Sequence, residues 1–284
     1  MFSEQLLEGK KILVTGGGTG IGKSLATRFL ELGAEIVICG RREEVLKGTV
    51  EEWKKSGGKA SYLVCDIRLP DKVEAMFEEI WRNRPLDGLV NNAAGNFIAR
   101  TETLSPKAFD AVSNVVLHGS AYCTLAAGKR WIEGNQKGTI LSILTSTAWQ
   151  GRAFMVPSAT AKAGVLSMMR SLATEWGPKG IRTVMVAPGI FPTPGASARL
   201  YPDPAEYEAQ VARVPVRRVG QHAELADFCS YLMSERAGFI NGDCVTMDGG
   251  EWLAGAGEFS HYRKEPRARF KAFLDSLRPG RSKS

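Results

Sequence analysis

A serine and a lysine that could act together in chemistry stand four residues apart, at Ser158 and Lys162. On a helix this spacing places both side chains on one face, one turn apart. Several serine acyl-enzymes use related patterns, and many plain surface helices also carry them. The meaning of the pair therefore depends on the elements that position it.

Those elements alternate between short apolar strands and helical patterns along almost the whole chain. Strands are predicted at 11–15, 35–39, 60–65, 87–90, 138–144, 181–187 and 243–247, and helices at 23–32, 42–55, 71–81, 106–129, 156–176 and 223–233. Repeated βα units with apolar strands predict an α/β, doubly wound Rossmann fold with a seven-stranded, mostly parallel sheet flanked by helices. Residues 1–284 are predicted to form one domain, with a proline-rich loop at about 189–215 and an extension at about 253–284.

The first strand runs directly into the glycine-rich turn Gly16-Gly17-Gly18-Thr19-Gly20-Ile21-Gly22, which is followed by a helix. This order seats a pyrophosphate on a helix N-terminus, because glycine allows a tight turn and close backbone approach. The second strand ends in Gly40-Arg41-Arg42, where an NAD site would carry an acidic residue. Arginine at that position favours a 2′-phosphate, so the sequence predicts NADP(H).

Composition narrows the remaining function classes. The chain carries 37 basic and 30 acidic residues, a net charge of +7, which suits a phosphate-rich small molecule. No basic run with interleaved aromatics precedes the C-terminal tail, and no apolar run spans a membrane, so neither nucleic acid nor integral membrane contact is expected. The five scattered cysteines predict reduced core thiols in a cytoplasmic protein, and no metal-ligand spacing occurs. The first residues lead into a strand without room for a signal peptide.

Taken together, the glycine turn, Asn91-Asn92-Ala93-Ala94-Gly95, Lys162 and Pro188-Gly189 resemble the short-chain dehydrogenase/reductase family. The resemblance covers about residues 7–252. One departure is informative, because Ser158 occupies the family's usual Tyr position, Thr145 the usual Ser and Val116 the usual helix Asn.

This departure changes which reduction is chemically favoured. Reducing a ketone makes an alkoxide, which needs an acid such as a phenol of pKa about 10 lowered by a nearby ammonium. Conjugate reduction of an unsaturated thioester instead places charge on the thioester oxygen as an enolate, which hydrogen-bond donors stabilise while water supplies the proton. Ser158 with Lys162 therefore suits C=C reduction better than C=O reduction.

Four segments look like the 2,4-dienoyl-CoA reductases, namely 91–97, 157–162, 195–200 and 248–251, and the tail at 257–259 resembles the same group. The resemblance implies NADPH-dependent reduction of 2,4-dienoyl-CoA to enoyl-CoA in the β-oxidation of unsaturated acyl chains. Two alternatives stay open. One is another reductase of 2-enoyl or 3-oxoacyl thioesters, and the other is a cofactor-binding pseudoenzyme that serves as a sensor or scaffold.

The resemblance also implies roles for individual residues. The implied cofactor-binding set is Thr15, Gly16, Gly18, Thr19, Gly20, Ile21, Gly22, Arg41, Arg42, Asp66, Ile67, Asn91, Asn92, Ala93, Lys162, Pro188, Gly189, Ile190, Phe191 and Thr193. The implied catalytic set is Lys162, Ser158, Asn96 and Thr145. The implied acyl-CoA contacts are Arg68, Asn96, Phe97, Ser105, Ser158 and Arg199.

The enolate donor is the open point of this assignment. Mitochondrial-type dienoyl reductases carry a Tyr where this chain has Thr147. Peroxisomal-type enzymes use an Asp on the long helix, where the nearest matching residues of this chain are Asn114 and Val116. Asn96 and Ser158, with Thr145 or Thr147, are left to bind the enolate, unless Tyr122 or His118 reaches the site. The resemblance further implies a homotetramer paired through the long helices. The basic tail is predicted to hold a helix at 267–277, packed on its own or a neighbouring subunit.

Overall fold

The apolar runs of the sequence become strands and pair into one sheet. The strands are β1 (Lys11–Thr15), β2 (Glu35–Gly40), β3 (Ala60–Val64), β4 (Gly88–Asn91), β5 (Gly138–Ile143), β6 (Ile181–Pro188) and β7 (Cys244–Met247). In the computed structural model, which describes residues 5–193, 195, 203–257 and 259–277, their order is β3-β2-β1-β4-β5-β6-β7. Every neighbouring pair among them is parallel. The predicted α/β doubly wound fold is confirmed.

Helices cover both faces of this sheet. They are α1 (Gly20–Glu31), α2 (Glu43–Lys55), α3 (Pro70–Asn83), α4 (Pro106–Ser113), α5 (Gly119–Glu133), α6 (Thr147–Gln150), α7 (Val156–Trp176), α8 (Pro204–Arg213), α9 (His222–Met233), α10 (Glu251–Ala256) and α11 (Arg267–Ser276). No helix in the described ranges is long and apolar enough to cross a membrane.

Two buried cores lie on opposite faces of the sheet because successive strand residues point to opposite sides. Ile12 and Val14 of β1 pack with α1, α2 and α9, whereas Leu13 between them packs with α3, α5 and α7. Both faces of the strands are therefore apolar, as a parallel sheet between helix layers requires. The strands are added outward in opposite directions from β1 and from β4, and ligands bind outside the carboxyl ends of the strands at such a switch point.

The predicted long helix at 106–129 is interrupted by a π-helical segment, Asn114–His118, between α4 and α5. A π turn inserts one extra residue and rotates the side chains that follow it. The Ser120 hydroxyl donates to the Val116 carbonyl at 2.7 Å, which satisfies an acceptor inside the distorted turn. Val116 itself is buried against Ala161 of α7. Hydrophobic spacing does not distinguish this segment from a continuous α-helix.

The segment 189–215, predicted as a loop, contains α8. Asp203 caps this helix by accepting a hydrogen bond from the Ala205 amide at 2.9 Å, and Pro204 occupies its first turn. An acidic cap followed by proline is a recognised helix-start signal, so the sequence held the information that the prediction passed over. Residues 194 and 196–202 of this segment lie outside the described part.

The C-terminal extension folds back on itself around an aromatic cluster. Within it, the ring of Tyr262 stacks on Phe270 and Phe273 at centroid distances of 4.8 and 5.2 Å. The predicted helix at 267–277 corresponds to α11, none of whose residues is buried within this chain. Leu274 and Leu277 remain exposed.

Candidate active site

The glycine turn forms a cradle that admits no side chain. Gly16 and Gly20 adopt left-handed φ values of 66° and 56°, which only glycine adopts without strain. At Gly22, a Cβ atom would lie 2.6 Å from the Gly16 carbonyl oxygen. The turn thus brings backbone N–H groups at the start of α1 into the open, where they can bind phosphate oxygens.

The Thr15 side chain joins this cradle to β4, the neighbouring strand in the sheet, and does not face a ligand. Its hydroxyl donates to the Val90 carbonyl at 3.2 Å and accepts from the amides of Asn92 and Ala93, each at 3.0 Å. The Asn92 carboxamide donates back to the Thr15 carbonyl at 2.9 Å. Thr15 and Asn92 therefore hold the ends of β1 and β4 together beside the glycine turn.

A cleft of about 600 Å³ opens above these strand ends. Its lining brings together most of the predicted cofactor residues, with Asn96, Phe97 and Arg68 from the predicted substrate set. Predicted residues in the lining are Gly16, Gly18, Thr19, Gly20, Ile21, Gly22, Arg41, Arg42, Asp66, Ile67, Arg68, Asn92, Ala93, Asn96, Phe97 and Thr193.

Charged side chains of both signs lie together at one end of the cleft. Arg41 and Arg42 follow β2 directly and are exposed. Asp66 accepts from Arg68 through Nε at 2.9 Å and Nη2 at 2.5 Å. This pairing with Arg68, reinforced by the charge of Arg41, holds the pKa of the Asp66 carboxyl below its usual range. Asp66 from the implied cofactor set and Arg68 from the implied acyl-CoA contacts thus form one ion pair.

Ser158, Lys162 and Thr145 lie outside that lining, at the ends of β5 and α7. Ser158 and Lys162 are both buried in α7. The Lys162 ammonium donates to the carbonyl oxygen of Ile143, and burial lowers the pKa of its side chain to about 8. A buried ammonium is held in place here by a single strand-end carbonyl, which leaves donor capacity for a ligand.

Thr145 and Thr147 stand side by side after β5. The Thr147 amide lies 3.4 Å from the Thr145 hydroxyl oxygen. The Thr147 hydroxyl is buried and has no hydrogen-bond partner among the described residues. The same holds for the Asn91 carboxamide oxygen, whose nitrogen donates to Thr124 at 2.9 Å. Buried polar atoms of this kind are uncommon in folded proteins and are frequent at ligand sites.

The segment after β6 passes between the glycine turn and the end of β7. The Gly189 amide donates to Met247 at 2.9 Å, and a Cβ at Gly189 would lie 2.7 Å from that of Asp248. At its other end, Thr193 is close enough that a Cβ at Gly20 would lie 3.3 Å from its methyl group. Ile190 and Phe191 line a separate pocket of about 220 Å³.

The predicted acyl-CoA contacts occupy different structural settings. The Asn96 carboxamide oxygen accepts from the Phe97 amide at 2.9 Å, so its NH₂ group is the part left for a ligand. Phe97 packs on Val112, Val116 and Ala161 between α4 and α7. Ser105 caps α4 by accepting from the Ala108 amide at 3.2 Å and lies outside the cleft lining. Arg199 lies outside the described residues.

Two aromatic features near the site were not foreseen. The rings of Trp149 in α6 and Trp252 in α10 meet edge to face at 5.8 Å. Because α6 follows β5 and α10 follows β7, the pair spans the end of β6, which lies between those strands. Phe154 adopts a left-handed φ of 65°, and its carbonyl accepts from the Ala99 amide at 3.0 Å. No spacing rule pairs residues so far apart in sequence.

The chain is similar to known reductases over most of its length. A family model described as "Enoyl-(Acyl carrier protein) reductase" matches residues 16–251. A Bacillus subtilis protein named a probable 2,4-dienoyl-CoA reductase that produces (2E)-enoyl-CoA is 41% identical over 249 residues, which are 87% of this chain and 98% of that protein. A Caenorhabditis elegans protein named a probable 2,4-dienoyl-CoA reductase 3, producing (3E)-enoyl-CoA, is 43% identical over 252 residues, covering 86% of this chain and 81% of that protein.

Solved structures give the same picture. A short chain dehydrogenase from Bacillus anthracis has a TM-score of 0.80 at 39% identity, covering 87% of this chain and 98% of that one. An Agrobacterium tumefaciens protein, provisionally named a 2-deoxy-D-gluconate 3-dehydrogenase and solved with bound NADP, has a TM-score of 0.81 at 31% identity, covering 89% and 100%.

Proposed function

Because this chain is an oxidoreductase of the short-chain dehydrogenase/reductase family that uses a nicotinamide adenine dinucleotide, we propose that it reduces 2,4-dienoyl-CoA to enoyl-CoA with NADPH. The observation that carries the proposal is the buried Ser158, one turn before Lys162, at the family's usual Tyr position. A serine hydroxyl is a poor acid for an alkoxide but an adequate donor for an enolate. The names of the Bacillus and Caenorhabditis relatives agree with this chemistry.

The choice of NADPH over NADH rests on the end of β2. Arg41 and Arg42 line the cleft there, beside the Asp66–Arg68 ion pair. A guanidinium can bind a 2′-phosphate through two parallel hydrogen bonds, in a bidentate pair, whereas an NAD site presents a carboxylate to the ribose hydroxyls. The cradle fits a pyrophosphate, because a Cβ at Gly22 would collide with the Gly16 carbonyl. When bound, NADPH supplies the hydride.

On the substrate side, this chain's residues stabilise charge on the thioester oxygen. The Asn96 NH₂ group and the Ser158 hydroxyl are the first donors, and the unpartnered Thr147 hydroxyl takes the position of the mitochondrial-type Tyr. Lys162 holds the nicotinamide ribose with its ammonium. Neutral donors in a buried site stabilise a developing enolate without themselves needing to ionise. Water delivers the proton to carbon.

The CoA phosphates are assigned to basic groups at the cleft rim. Arg68 uses Nε and Nη2 for Asp66, so in the described part of the chain its Nη1 is left for a phosphate. Arg199 and Ser105 complete the proposed set. Ser105 reaches a ligand only with the hydrogen-bonding capacity that helix capping leaves over. We further propose a cytoplasmic homotetramer, which stays a prediction.

A second candidate is reduction of a 2-enoyl thioester, which the description of the matching family model favours. It uses the same donors and the same enolate. A 3-oxoacyl reductase is disfavoured by Ser158. A pseudoenzyme that binds the cofactor without turnover would leave the Asn96 donor without a role.

Consumption of NADPH separates these candidates. The substrate is trans,trans-2,4-hexadienoyl-CoA, assayed beside crotonyl-CoA and acetoacetyl-CoA. We expect NADPH oxidation with the dienoyl-CoA alone. Oxidation with crotonyl-CoA would favour the second candidate, and oxidation with acetoacetyl-CoA would overturn the argument from Ser158. Binding of NADPH without turnover of any thioester would favour the pseudoenzyme.

A further inference from the structure

A histidine outside the cleft joins the two segments that hold opposite ends of the cofactor. His222 is the first residue of α9 and is half-buried. Its Nε2 lies 2.8 Å from the Pro192 carbonyl oxygen, and its Nδ1 lies 2.6 Å from the Ser24 hydroxyl in α1. We infer that His222 is a positioning residue, which sets the nicotinamide-side segment 188–193 relative to the pyrophosphate turn.

The nature of the Pro192 acceptor decides which nitrogen of His222 carries the hydrogen. A carbonyl oxygen only accepts, so Nε2 carries the hydrogen and donates it to Pro192. Nδ1 then accepts from the Ser24 hydroxyl, which also lies 3.1 Å from the Gly20 carbonyl. With that single hydroxyl proton given to Nδ1, the hydrogen-bonded chain runs from Pro192 through His222 to Ser24, in the first turn of α1, which begins at Gly20.

The surroundings hold the imidazole in this orientation. A capping box fixes the start of α9, because the Gln221 amide donates to the Glu224 carboxylate at 2.8 Å. The ring meets Phe191 edge to face at a centroid distance of 6.4 Å. Phe191 is in turn held where a Cβ at Gly220 would collide with its ring. Both partners of His222 thus belong to well-packed segments.

The position of the link gives it a consequence for the cofactor. Segment 188–193 touches the glycine turn through Thr193 and the end of β7 through Gly189. A hydrogen bond to Pro192 between those points fixes how far the segment stands from the turn. The proposed function puts the pyrophosphate on the turn, and residues 188–191 and 193 belong to the same implied cofactor set, which leaves this segment for the nicotinamide end. This inference therefore rests on that proposal. Placement of the reacting group matters more for rate than for fold.

A second polar link between the same helices provides a matched control. Arg28, one turn after Ser24, donates from Nε to Asp227 of α9 at 2.6 Å. It joins α1 to α9 on the side away from the glycine turn. Loss of this pair weakens helix docking alone, whereas loss of His222 also releases Pro192.

The test compares binding of NADP⁺ with binding of 2′,5′-ADP, which lacks the nicotinamide half, by titration calorimetry on the full chain. For His222→Phe we expect a Kd for NADP⁺ about tenfold higher, from two lost hydrogen bonds, and a Kd for 2′,5′-ADP changed less than about twofold. His222→Gln keeps a donor for Pro192 and should stay within about threefold of wild type. Asp227→Asn should leave both Kd values unchanged.

The possible outcomes are distinguishable. Equal loss of both ligands in His222→Phe, or NADP⁺ binding equal to wild type, overturns the positioning role. Should His222→Phe fold poorly by circular dichroism, Ser24→Ala replaces it. A selective rise of about threefold in its NADP⁺ Kd supports the role, and no selective rise overturns it. These measurements contain no thioester, so failure of the dienoyl-CoA assay leaves them valid. A wild-type chain that binds 2′,5′-ADP and NADP⁺ equally well removes the basis of the inference.

Discussion

The two halves of the site are built differently. In the half formed by β1, α1 and β4, hydrogen bonds join Thr15, Asn92 and their neighbours, and backbone atoms line the cradle. The Asn91 carboxamide oxygen is the exception there, since it has no partner among the described residues. In the half formed by β5, α6 and α7, the Thr147 hydroxyl has no partner among described residues, and the buried Lys162 contacts one carbonyl.

This difference indicates which half depends on its ligands. Unpaired buried groups cost free energy unless a ligand satisfies them, and such strain is typical of sites that carry out chemistry. The half around the glycine turn has more of its hydrogen bonds in place before any ligand binds, whereas the half around Thr147 and Lys162 keeps donors free for one. Substitutions in the first half should therefore weaken ligand binding, whereas substitutions in the second should lower the rate of the reaction.

Lys162→Met should have the largest effect, a fall in kcat of about 1,000-fold, because it removes the buried cation from the reacting end. The free energy of unfolding should not fall with it, since an uncharged side chain is easier to bury.

The same lysine predicts that the activity of the wild-type protein depends on pH. Its pKa of about 8 means that the ammonium loses its proton as pH rises past that value. The ratio kcat/KM for NADPH should therefore decline above pH 8, and a flat profile there would contradict the role.

Gly22→Val should weaken NADP⁺ binding about 100-fold by crowding the cradle, since a Cβ there would meet the Gly16 carbonyl. Titration with NADP⁺ measures the loss. Gly48→Ala is the matched control, because a Cβ at Gly48 meets nothing within 4 Å and lies in a helix. It should bind normally and unfold at a slightly higher temperature. Normal binding by Gly22→Val would show that the cofactor half tolerates change.

Arg41→Asp should shift the ratio of kcat/KM for NADPH over NADH about 30-fold towards NADH, from the loss of a charge-assisted contact. Arg42→Asp, made in parallel, decides which of the two arginines beside the cleft reads the 2′-phosphate. Equal, unchanged preference in both variants would move that recognition to another group.

Thr147→Val should give the smallest effect, a decline in kcat of about tenfold. The substitution removes one enolate donor, while the valine side chain keeps nearly the same shape as threonine. The free energy of unfolding should stay the same or rise, because the lost hydroxyl is buried and unpartnered in the described structure. Thr145→Val is the comparison, since the Thr145 hydroxyl lies 3.4 Å from the Thr147 amide. A larger loss of kcat in Thr145→Val would make Thr145 the donor.

Much of the fold could be read from local patterns. The apolar strands and the helix Val156–Trp176 were placed correctly because period and β-branched content change sharply at their ends. The π-helical segment Asn114–His118 escaped, since one inserted residue leaves the hydrophobic spacing almost intact. Helix α8 escaped although Asp203 and Pro204 mark its start, because proline was interpreted as a loop signal.

The candidate site also contains some features that local sequence patterns predict and others that they miss. Residues of the glycine turn and the β2 end were placed in one cleft, because each follows a strand and parallel strands end at one edge. The capping role of Ser105 and the pairing of Arg68 with Asp66 depend on local geometry that a resemblance does not give. The catalytic roles themselves stay predictions.

The sequence by itself determined which chemical groups stand at the strand ends: a glycine turn suited to phosphate, two arginines after β2, and serine in place of tyrosine one turn before lysine. These are properties of residue type and short spacing. Only the tertiary structure decided that Lys162 is buried enough for a pKa of about 8 and that His222 joins α1 to Pro192. Burial and long-range hydrogen bonds depend on the packing of segments far apart in the chain, such as Ser24 and His222, which are 198 residues apart. No local pattern encodes such contacts.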